Sequence, residues 1–427
     1  MIFSYSFLNF IANVCVFLPY FITLMAYANN HNPLLLVTLA FIYATRSVSI
    51  MLFNIFSNKW NNILISIAAG ILGALSMAMI PLNIYSSLLA GILLGYHSAT
   101  LWPTFFAGKV DLDYTSKINQ KYIWSIFILL IVMLVAILLA HPYSESYYQI
   151  NFLGYGILSM LCLPSAYKMT KDLAKQDVQK ISDNNPILFL ALVFIIFTIR
   201  GVLFLLSKGL SKNYGLDLLI SIILIILIVY VISVSKKFSR NIVFNLTILR
   251  GMLMVYVLFF ATFYSMNWFG SKAPIIMYIL YLIGFESGSI VVKKVNVKPD
   301  LLLYFGALMI SIPNQYSYLL GILLWTLYLG YLNVYLNKNH VKGEFFNGGS
   351  GIIRKYQISS YGSQIGYSII FITLLSFAML KMIDLHNFFI SNNDTIKFNL
   401  YLLNQIIVLI YLVIKAMLDI FNNDKKA

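Results

Sequence analysis

The sequence predicts an all-α polytopic membrane protein: two six-helix bundles related by a parallel repeat, plus an inserted helix pair, fourteen transmembrane helices in all. Three observations predict it: long apolar segments, basic residues concentrated in alternate loops, and an internal repeat. Of the 427 residues, 60% are hydrophobic and only 10% are charged, against about 25% charged in soluble domains. The mean hydropathy of +0.85 therefore indicates a chain that turns most of its surface to lipid.

Apolar segments of membrane length recur along the whole sequence. A helix needs roughly 20 apolar residues to cross the hydrocarbon core. The first segment lacks a basic start and a small-residue cleavage site, so we expect a retained helix and not a signal peptide. The fourteen predicted spans are 7–27, 33–56, 62–80, 83–107, 121–140, 147–167, 186–207, 216–235, 243–266, 273–292, 299–313, 316–336, 362–382 and 397–419.

The lysines and arginines give these spans an orientation. With the termini placed in the cytoplasm, twenty of the 29 basic residues fall in cytoplasmic loops and five in the opposite loops. This asymmetry follows the positive-inside rule. It explains the net charge of +15 by contact with anionic lipid headgroups. We therefore expect no nucleic-acid partner. Together with the Asn-, Ile- and Lys-rich composition, it predicts a bacterial cytoplasmic membrane with both termini cytoplasmic.

An internal repeat divides the chain. Residues 73–81 read GALSMAMIP and residues 306–313 read GALMISIP, and similar stretches begin at Tyr85 and Tyr316. The shared order of glycines, prolines and loop charges indicates duplication, and both copies start and end on the same side, as in a parallel repeat. The predicted domains are an N-terminal six-helix bundle 1–167, a cytoplasmic linker 168–185, an inserted helix pair 186–235 and a C-terminal six-helix bundle 243–427.

On this architecture, the chain resembles the major facilitator superfamily in its fourteen-helix form. The resemblance covers nearly the whole chain, but the family's loop motif is reduced to a single basic residue, Lys59, within residues 55–62. Residues 121–140 hold neither the glycine nor the proline of drug antiporters, and the glutamate-rich first-helix motif of peptide transporters is absent. The resemblance implies a divergent secondary transporter, not an enzyme, that works by alternating access.

Ionisable residues at membrane depth are candidate functional residues, because placing a charge there is costly. Arg46, near the middle of the second span, must face a wet cavity or a partner; a structural pair that fixes helix packing is the alternative. Arg250 lies about two turns from the cytoplasmic end of its span and can partly snorkel. Arg200, on the inserted pair, is assigned a lipid-headgroup contact.

The remaining candidates are an acid and a histidine. Glu286 lies between Gly284 and Gly288 in the tenth span; it can carry a proton during transport, or it can pair with Arg250. His97 is a candidate proton relay, with a packing hydrogen bond as the alternative. The predicted substrate-binding or coupling residues are therefore Arg46, His97, Arg250 and Glu286.

These residues favour a secondary transporter that moves a small or amphipathic solute, with protons as a coupling ion. Arginines outnumber acids among them, which favours an anionic solute or a lipid headgroup. The alternative is a flippase or polymerase of lipid-linked surface polysaccharide, whose external loop 383–396 would offer Asp384, His386 and Asp394. A third possibility is a non-transporting sensor or assembly factor with a degraded transporter fold.

Nucleotide and metal chemistry have no support in the sequence. It contains no Walker motif, no nucleotide-binding glycine fingerprint and no metal-ligand cluster, so no cofactor is expected. Residues 337–361, with glycines at 348, 349 and 351, are predicted to form a flexible cytoplasmic linker.

Overall fold

The computed structural model describes residues 2–30, 32–50, 60–112, 147–175, 242–342, 348–381 and 394–423, and the single positions 128 and 222. Regular secondary structure within these ranges is helical. The chain forms two compact units: one contains Met1–Val202 and Val341–Tyr356, and the other contains Leu203–His340 and Gln357–Ala427.

Seven described helices belong to the first unit. Helix α5 packs against α3 and α4, and α4 also packs against α6, so α4 and α5 are central to this unit. The seven are α1 (Ile2–Val14), α2 (Leu18–Asn30), α3 (Pro33–Ser49), α4 (Asn61–Met79), α5 (Ile84–Asp111), α6 (Tyr147–Met160) and α7 (Leu163–Leu173).

The second half of the chain supplies seven more described helices. Between α8 and α9 lies a π-helical segment, Tyr256–Phe260, and α9 packs against α10. Helix α13 contributes its residues up to Tyr356 to the first unit and its remainder to the second. The seven are α8 (Ile242–Val255), α9 (Ala261–Phe269), α10 (Ala273–Val295), α11 (Pro299–Ile310), α12 (Gln315–Val341), α13 (Gly348–Lys381) and α14 (Asp394–Asn423).

The chain is a multi-pass membrane protein. In the described ranges, five helical stretches are long and apolar enough to cross a membrane, or seven if each bent pair counts as one span. One of them, Ile242–Val295, covers 54 residues, about 80 Å of helix at 1.5 Å per residue, and so exceeds a single crossing. The predicted number of fourteen is not confirmed, since the spans 121–140, 186–207 and 216–235 lie almost wholly outside the described residues.

Predicted spans that fall on described residues are helical, although two of them are broken. The span 62–80 corresponds to α4, and 273–292 corresponds to α10. The first span bends by 55° between α1 and α2, and the sixth bends by 44° between α6 and α7. Pro19 and Pro164 are the second residues of α2 and α7; a proline is tolerated in a first helical turn but removes a hydrogen bond from a helix interior.

Both copies of the sequence repeat begin their second helix with the same cap. The Asn83 side chain accepts hydrogen bonds from the backbone amides of Tyr85 and Ser86, both at 2.9 Å. In the other unit, the Asn314 side chain accepts from the amides of Tyr316 at 2.8 Å and Ser317 at 3.4 Å. Asparagine at this position satisfies amides that have no partner within the helix.

The repeated glycines also share a packing role. A Cβ atom on Gly73 of α4 would lie 2.9 Å from Leu94 on α5, and a Cβ atom on Gly306 of α11 would overlap Trp325 on α12. In each unit, the glycine thus allows close approach to the helix that follows it. The duplication predicted from sequence therefore corresponds to two hairpins built with the same cap and the same close contact.

The prediction of a flexible linker over 337–361 is wrong at both ends, because α12 continues to Val341 and α13 begins at Gly348. Gly348 has a φ of +56°, and the Asp111 carboxylate, at the end of α5, accepts a 2.7 Å hydrogen bond from the Gly349 amide. Further along, the Trp102 indole donates a 2.5 Å hydrogen bond to the Tyr356 hydroxyl. A side chain distant in sequence therefore caps this helix.

We expect Asp111→Ala to destabilise the protein by about 1 kcal/mol, the usual cost of removing a helix cap. The measurement is thermal unfolding of the purified protein in detergent. Asp172→Ala is the matched control, since Asp172 forms a surface pair with Lys175 at 3.5 Å, and such pairs contribute little. Equal unfolding temperatures for the two variants would contradict the capping role of Asp111.

Candidate functional site

Arg46 lies on α3, where it is half-buried. Its Nη1 donates a 2.8 Å hydrogen bond to the Val16 carbonyl, at the break between α1 and α2. Its guanidinium carbon lies 5.1 Å from the centre of the Tyr20 ring, within the range of a cation–π interaction. Carbonyls at a helix break lose some of their intrahelical donors, so Arg46 stabilises the bent first span.

His97 is fully buried on α5 and holds three helices together. Its Nδ1 lies 2.7 Å from the Ser66 carbonyl on α4, and its Nε2 lies 2.6 Å from the Tyr155 hydroxyl on α6. Because a carbonyl can only accept, Nδ1 carries the proton, and the Nε2 of a neutral ring accepts from tyrosine. Both ring nitrogens therefore have protein partners, as in the packing alternative predicted from sequence.

A polar network in the first unit links Arg46, through Tyr20, to Ser98 on α5. The Tyr20 hydroxyl, below the Arg46 guanidinium, lies 3.3 Å from the Ser98 hydroxyl, on the residue after His97. The Ser98 hydroxyl in turn lies 3.0 Å from the Gly95 carbonyl and donates to it. Arg46 and His97 therefore lie on neighbouring helices of one unit, and their contacts differ: Val16 and Tyr20 for Arg46, Ser66 and Tyr155 for His97.

We expect Tyr155→Phe to lower the stability by about 1–3 kcal/mol, because it leaves a buried acceptor on His97 without its donor. Thermal unfolding in detergent measures the effect. Tyr85→Phe is the control, because Tyr85 is 80% exposed. A Tyr155→Phe variant as stable as the wild type would contradict the packing role of this hydrogen bond.

Arg250 is buried where α8 meets α13 in the second unit. Its Nη1 donates a 3.0 Å hydrogen bond to the Ser359 hydroxyl. The two backbones nearly touch here, since a Cβ atom on Gly251 would overlap the Ser359 carbonyl oxygen and one on Gly362 would overlap the Ile248 carbonyl oxygen. Arg250 therefore stabilises a glycine-mediated helix contact.

Glu286 lies on an exposed face of α10, so it is not the partner of the buried Arg250. Its neighbours Gly284 and Gly288 face the opposite way, because Cβ atoms there would overlap Thr326 and the Leu327 carbonyl oxygen of α12. Residues two apart on a helix point about 200° apart. Gly284 and Gly288 therefore allow α10 to approach α12 closely, and they turn Glu286 outward.

A buried lysine escaped the sequence prediction. Lys415 on α14 lies 3.5 Å from Asp300 in the first turn of α11; the lysine side chain is 3% exposed and the aspartate side chain 54%. The Tyr328 hydroxyl also donates to Asp300, at 3.4 Å. An intramembrane lysine is a recognisable signal, but its partner is more than a hundred residues away in sequence.

An aromatic cluster around the π-helical segment was also missed. Tyr256 stands 4.8 Å from Trp325 and 5.9 Å from Tyr411, measured between ring centres. The Tyr256 hydroxyl donates a 2.5 Å hydrogen bond to the side-chain amide oxygen of Asn404. Asn404, a polar residue within an apolar span, was the sequence signal that could have indicated this cluster. The π-helical geometry has no sequence signature. The cluster joins the π-helical segment, α12 and α14 in the second unit.

Other residues singled out from sequence cannot be placed. Arg200, Lys59, Asp384 and His386 lie outside the described residues. Where the structure describes the chain, no group of three or more histidine, cysteine, aspartate or glutamate residues could hold a metal ion.

Solved structures similar to the chain include peptide transporters. An auto-inhibited POT family peptide transporter matches with a TM-score of 0.55 at 11% identity, over 96% of each chain. A mutant of the peptide transporter POT in complex with sulfate matches with a TM-score of 0.54 at 14% identity, over 98% of this chain and 95% of that one. Tetrameric PepTSo2 gives 0.53 at 13% identity, over 97% of each chain.

Sequence comparisons add nothing to this likeness. No protein-family model and no curated protein sequence matches the chain. Identities of 11–14% show a shared fold alone, and that fold covers nearly the whole chain.

Proposed function

We propose that this chain, whose fold is that of the major facilitator superfamily, is a secondary transporter that moves a small or amphipathic solute across the cytoplasmic membrane by alternating access. The resemblance predicted from sequence is confirmed at the level of fold. The observation that carries the proposal is the match over 96% of both chains in a protein with apolar helices of membrane length. Fold alone does not dictate function, so the proposal needs a direct test.

The four residues predicted from sequence divide into two roles under this proposal. Arg46, His97 and Arg250 are positioning residues, since each binds a backbone or hydroxyl oxygen of a neighbouring segment. Glu286 is the proposed ligand or coupling contact, because it is the exposed member of the set. The arginines that favoured an anionic solute are engaged in protein contacts, so the charge of the solute is a question for experiment.

The test is solute flux in proteoliposomes. A panel of dipeptides, sugars, organic anions and alkylammonium compounds is first screened by thermal shift of the purified protein. Stabilising compounds are then assayed for uptake with and without a proton gradient. We expect saturable uptake of at least one compound, with dependence on an ion gradient. Absence of saturable uptake across the panel would contradict the proposal.

A further inference from the structure

Helix α10 presents a continuous exposed apolar face with Glu286 at its middle. The apolar side chains on this face are between 38% and 55% exposed, and they are Ile279, Leu282, Ile283 and Ile290. Their positions differ from that of Glu286 by seven, four, three and four residues, respectively, the spacings that place side chains on the same side of a helix. The opposite side packs against α12 through Gly284 and Gly288.

Glu286 is far from both ends of α10. The helix has 23 residues, and at 1.5 Å per residue the glutamate lies about 20 Å from Ala273 and about 14 Å from Val295. Its side chain is too short to reach the headgroup region. In the described part of the chain, Glu286 has no ion-pair or hydrogen-bond partner.

A carboxylate that faces hydrocarbon is unfavourable unless it holds a proton or meets a positive charge. The exposed side chains nearest to Glu286 on this face are aliphatic, and the exposed Lys293 lies seven residues, about 10 Å, further along the axis towards the end of the helix. A ligand that matches both features needs a cationic head and an apolar tail. From Ile279 to Glu286 is about 10 Å along the helix axis, so an alkyl chain along this face would contact several side chains at once.

We propose that the exposed face of α10 around Glu286 binds a cationic amphiphile that arrives from the bilayer. The carboxylate pairs with the ammonium group, and the isoleucine and leucine side chains contact the alkyl chain. The inference rests on the proposed transporter function, whose solute class it names. Without ligand, Glu286 is a neutral carboxylic acid in contact with lipid; with ligand, it is an ion-paired carboxylate.

Carbodiimide labelling distinguishes these two forms. A carbodiimide adds to a protonated carboxyl group: the carboxyl proton moves to one nitrogen, and the oxygen bonds to the central carbon. The protein is placed in phosphatidylcholine nanodiscs and treated with dicyclohexylcarbodiimide or with a water-soluble carbodiimide, and the labelled peptide is identified by mass spectrometry. We expect the lipid-soluble reagent alone to label Glu286, and Glu286→Gln to remove this label.

The probe ligand is dodecyltrimethylammonium, with dodecanol as the neutral control and dodecyl phosphate as the anionic control. We expect the ammonium compound alone to reduce the labelling at least fivefold. We also expect its binding to weaken at least tenfold in Glu286→Gln, while the adjacent variant Ser287→Ala binds as the wild type does. Ser287 is a suitable control because its hydroxyl donates to the Ile283 carbonyl of its own helix.

Three results would overturn the proposal. Labelling by the water-soluble reagent would place Glu286 in an aqueous cavity. No labelling by either reagent would mean that the face is covered. Protection by the anionic compound alone would mean that the ligand carries the opposite charge. None of these measurements requires flux. A protein that binds the amphiphile but does not transport it would therefore contradict the proposed function while leaving this binding site intact.

Discussion

Gly251→Ala is expected to destabilise the protein by about 3 kcal/mol, the upper part of the range for overpacking a tight core. The added methyl group would overlap the Ser359 carbonyl oxygen. That atom belongs to the backbone of α13, which cannot turn aside as a side chain can. The helices must separate, and the Arg250 hydrogen bond to Ser359 is lost with the contact.

The matched control is Gly154→Ala, the same substitution within a helix but with no atom within 4 Å of the new Cβ. Alanine favours helix formation by about 1 kcal/mol over glycine, so this variant should be as stable as the wild type or more so. Thermal unfolding in detergent compares the two. A Gly251→Ala variant as stable as Gly154→Ala would contradict the close packing of α8 and α13.

Asp300→Ala is expected to cost about 3 kcal/mol, at the low end of the range for removing one partner of a buried ion pair. The low end applies because Asp300 is 54% exposed and therefore partly solvated. The substitution leaves the buried Lys415 ammonium without this counter-charge. It also removes the acceptor for the Tyr328 hydroxyl.

Replacing the other partner of this ion pair, Lys415, should reduce the stability much less. Lys415→Met replaces a buried cation by an apolar side chain of similar length, and the Asp300 carboxylate that remains is half exposed to solvent. We expect this variant to lose less than about 1 kcal/mol, because the cost of breaking a pair comes from a charge left buried without its partner, and no such charge remains. Unfolding of both single variants and the double variant gives the asymmetry. Equal costs for the two single variants would contradict an ion pair with one buried and one solvated end.

Helix positions were the part of the fold best predicted from sequence. Apolar runs of membrane length place α4 and α10 within a few residues of their ends, since hydrophobic length is a local property. The bends of the first and sixth spans were missed, although Pro19 and Pro164 mark them. Whether a proline bends a span or begins a new helix depends on neighbours that satisfy the freed backbone groups, as Arg46 does for Val16.

For the candidate residues, too, local properties were predictable from sequence and distant contact partners were not. Arg46 was expected to face a wet cavity or a partner, because charge burial is a local cost. Nothing local identifies the Val16 carbonyl, 30 residues away, as the group that it contacts. The Gly-Phe-Glu-Ser-Gly segment contained the orientation of Glu286, since glycines that face one helix turn a residue two positions away outward. The helix α13 begins within the predicted linker, and its first turn is capped by Asp111, 238 residues away in sequence. No local sequence pattern could indicate this contact.

Counterflow in proteoliposomes tests the central claim, that this chain is an alternating-access transporter, most directly. Vesicles are loaded with a large excess of an unlabelled solute from the thermal-shift screen, and a trace of the labelled solute is added outside. Inside the vesicle, the excess unlabelled solute occupies most sites of a carrier with one alternating site, so these sites return to the outside carrying unlabelled solute. Labelled solute therefore enters faster than it leaves. We expect the internal label to rise above its equilibrium level and then decay. Label that only approaches equilibrium, or no protein-dependent uptake of any stabilising compound, would contradict the claim.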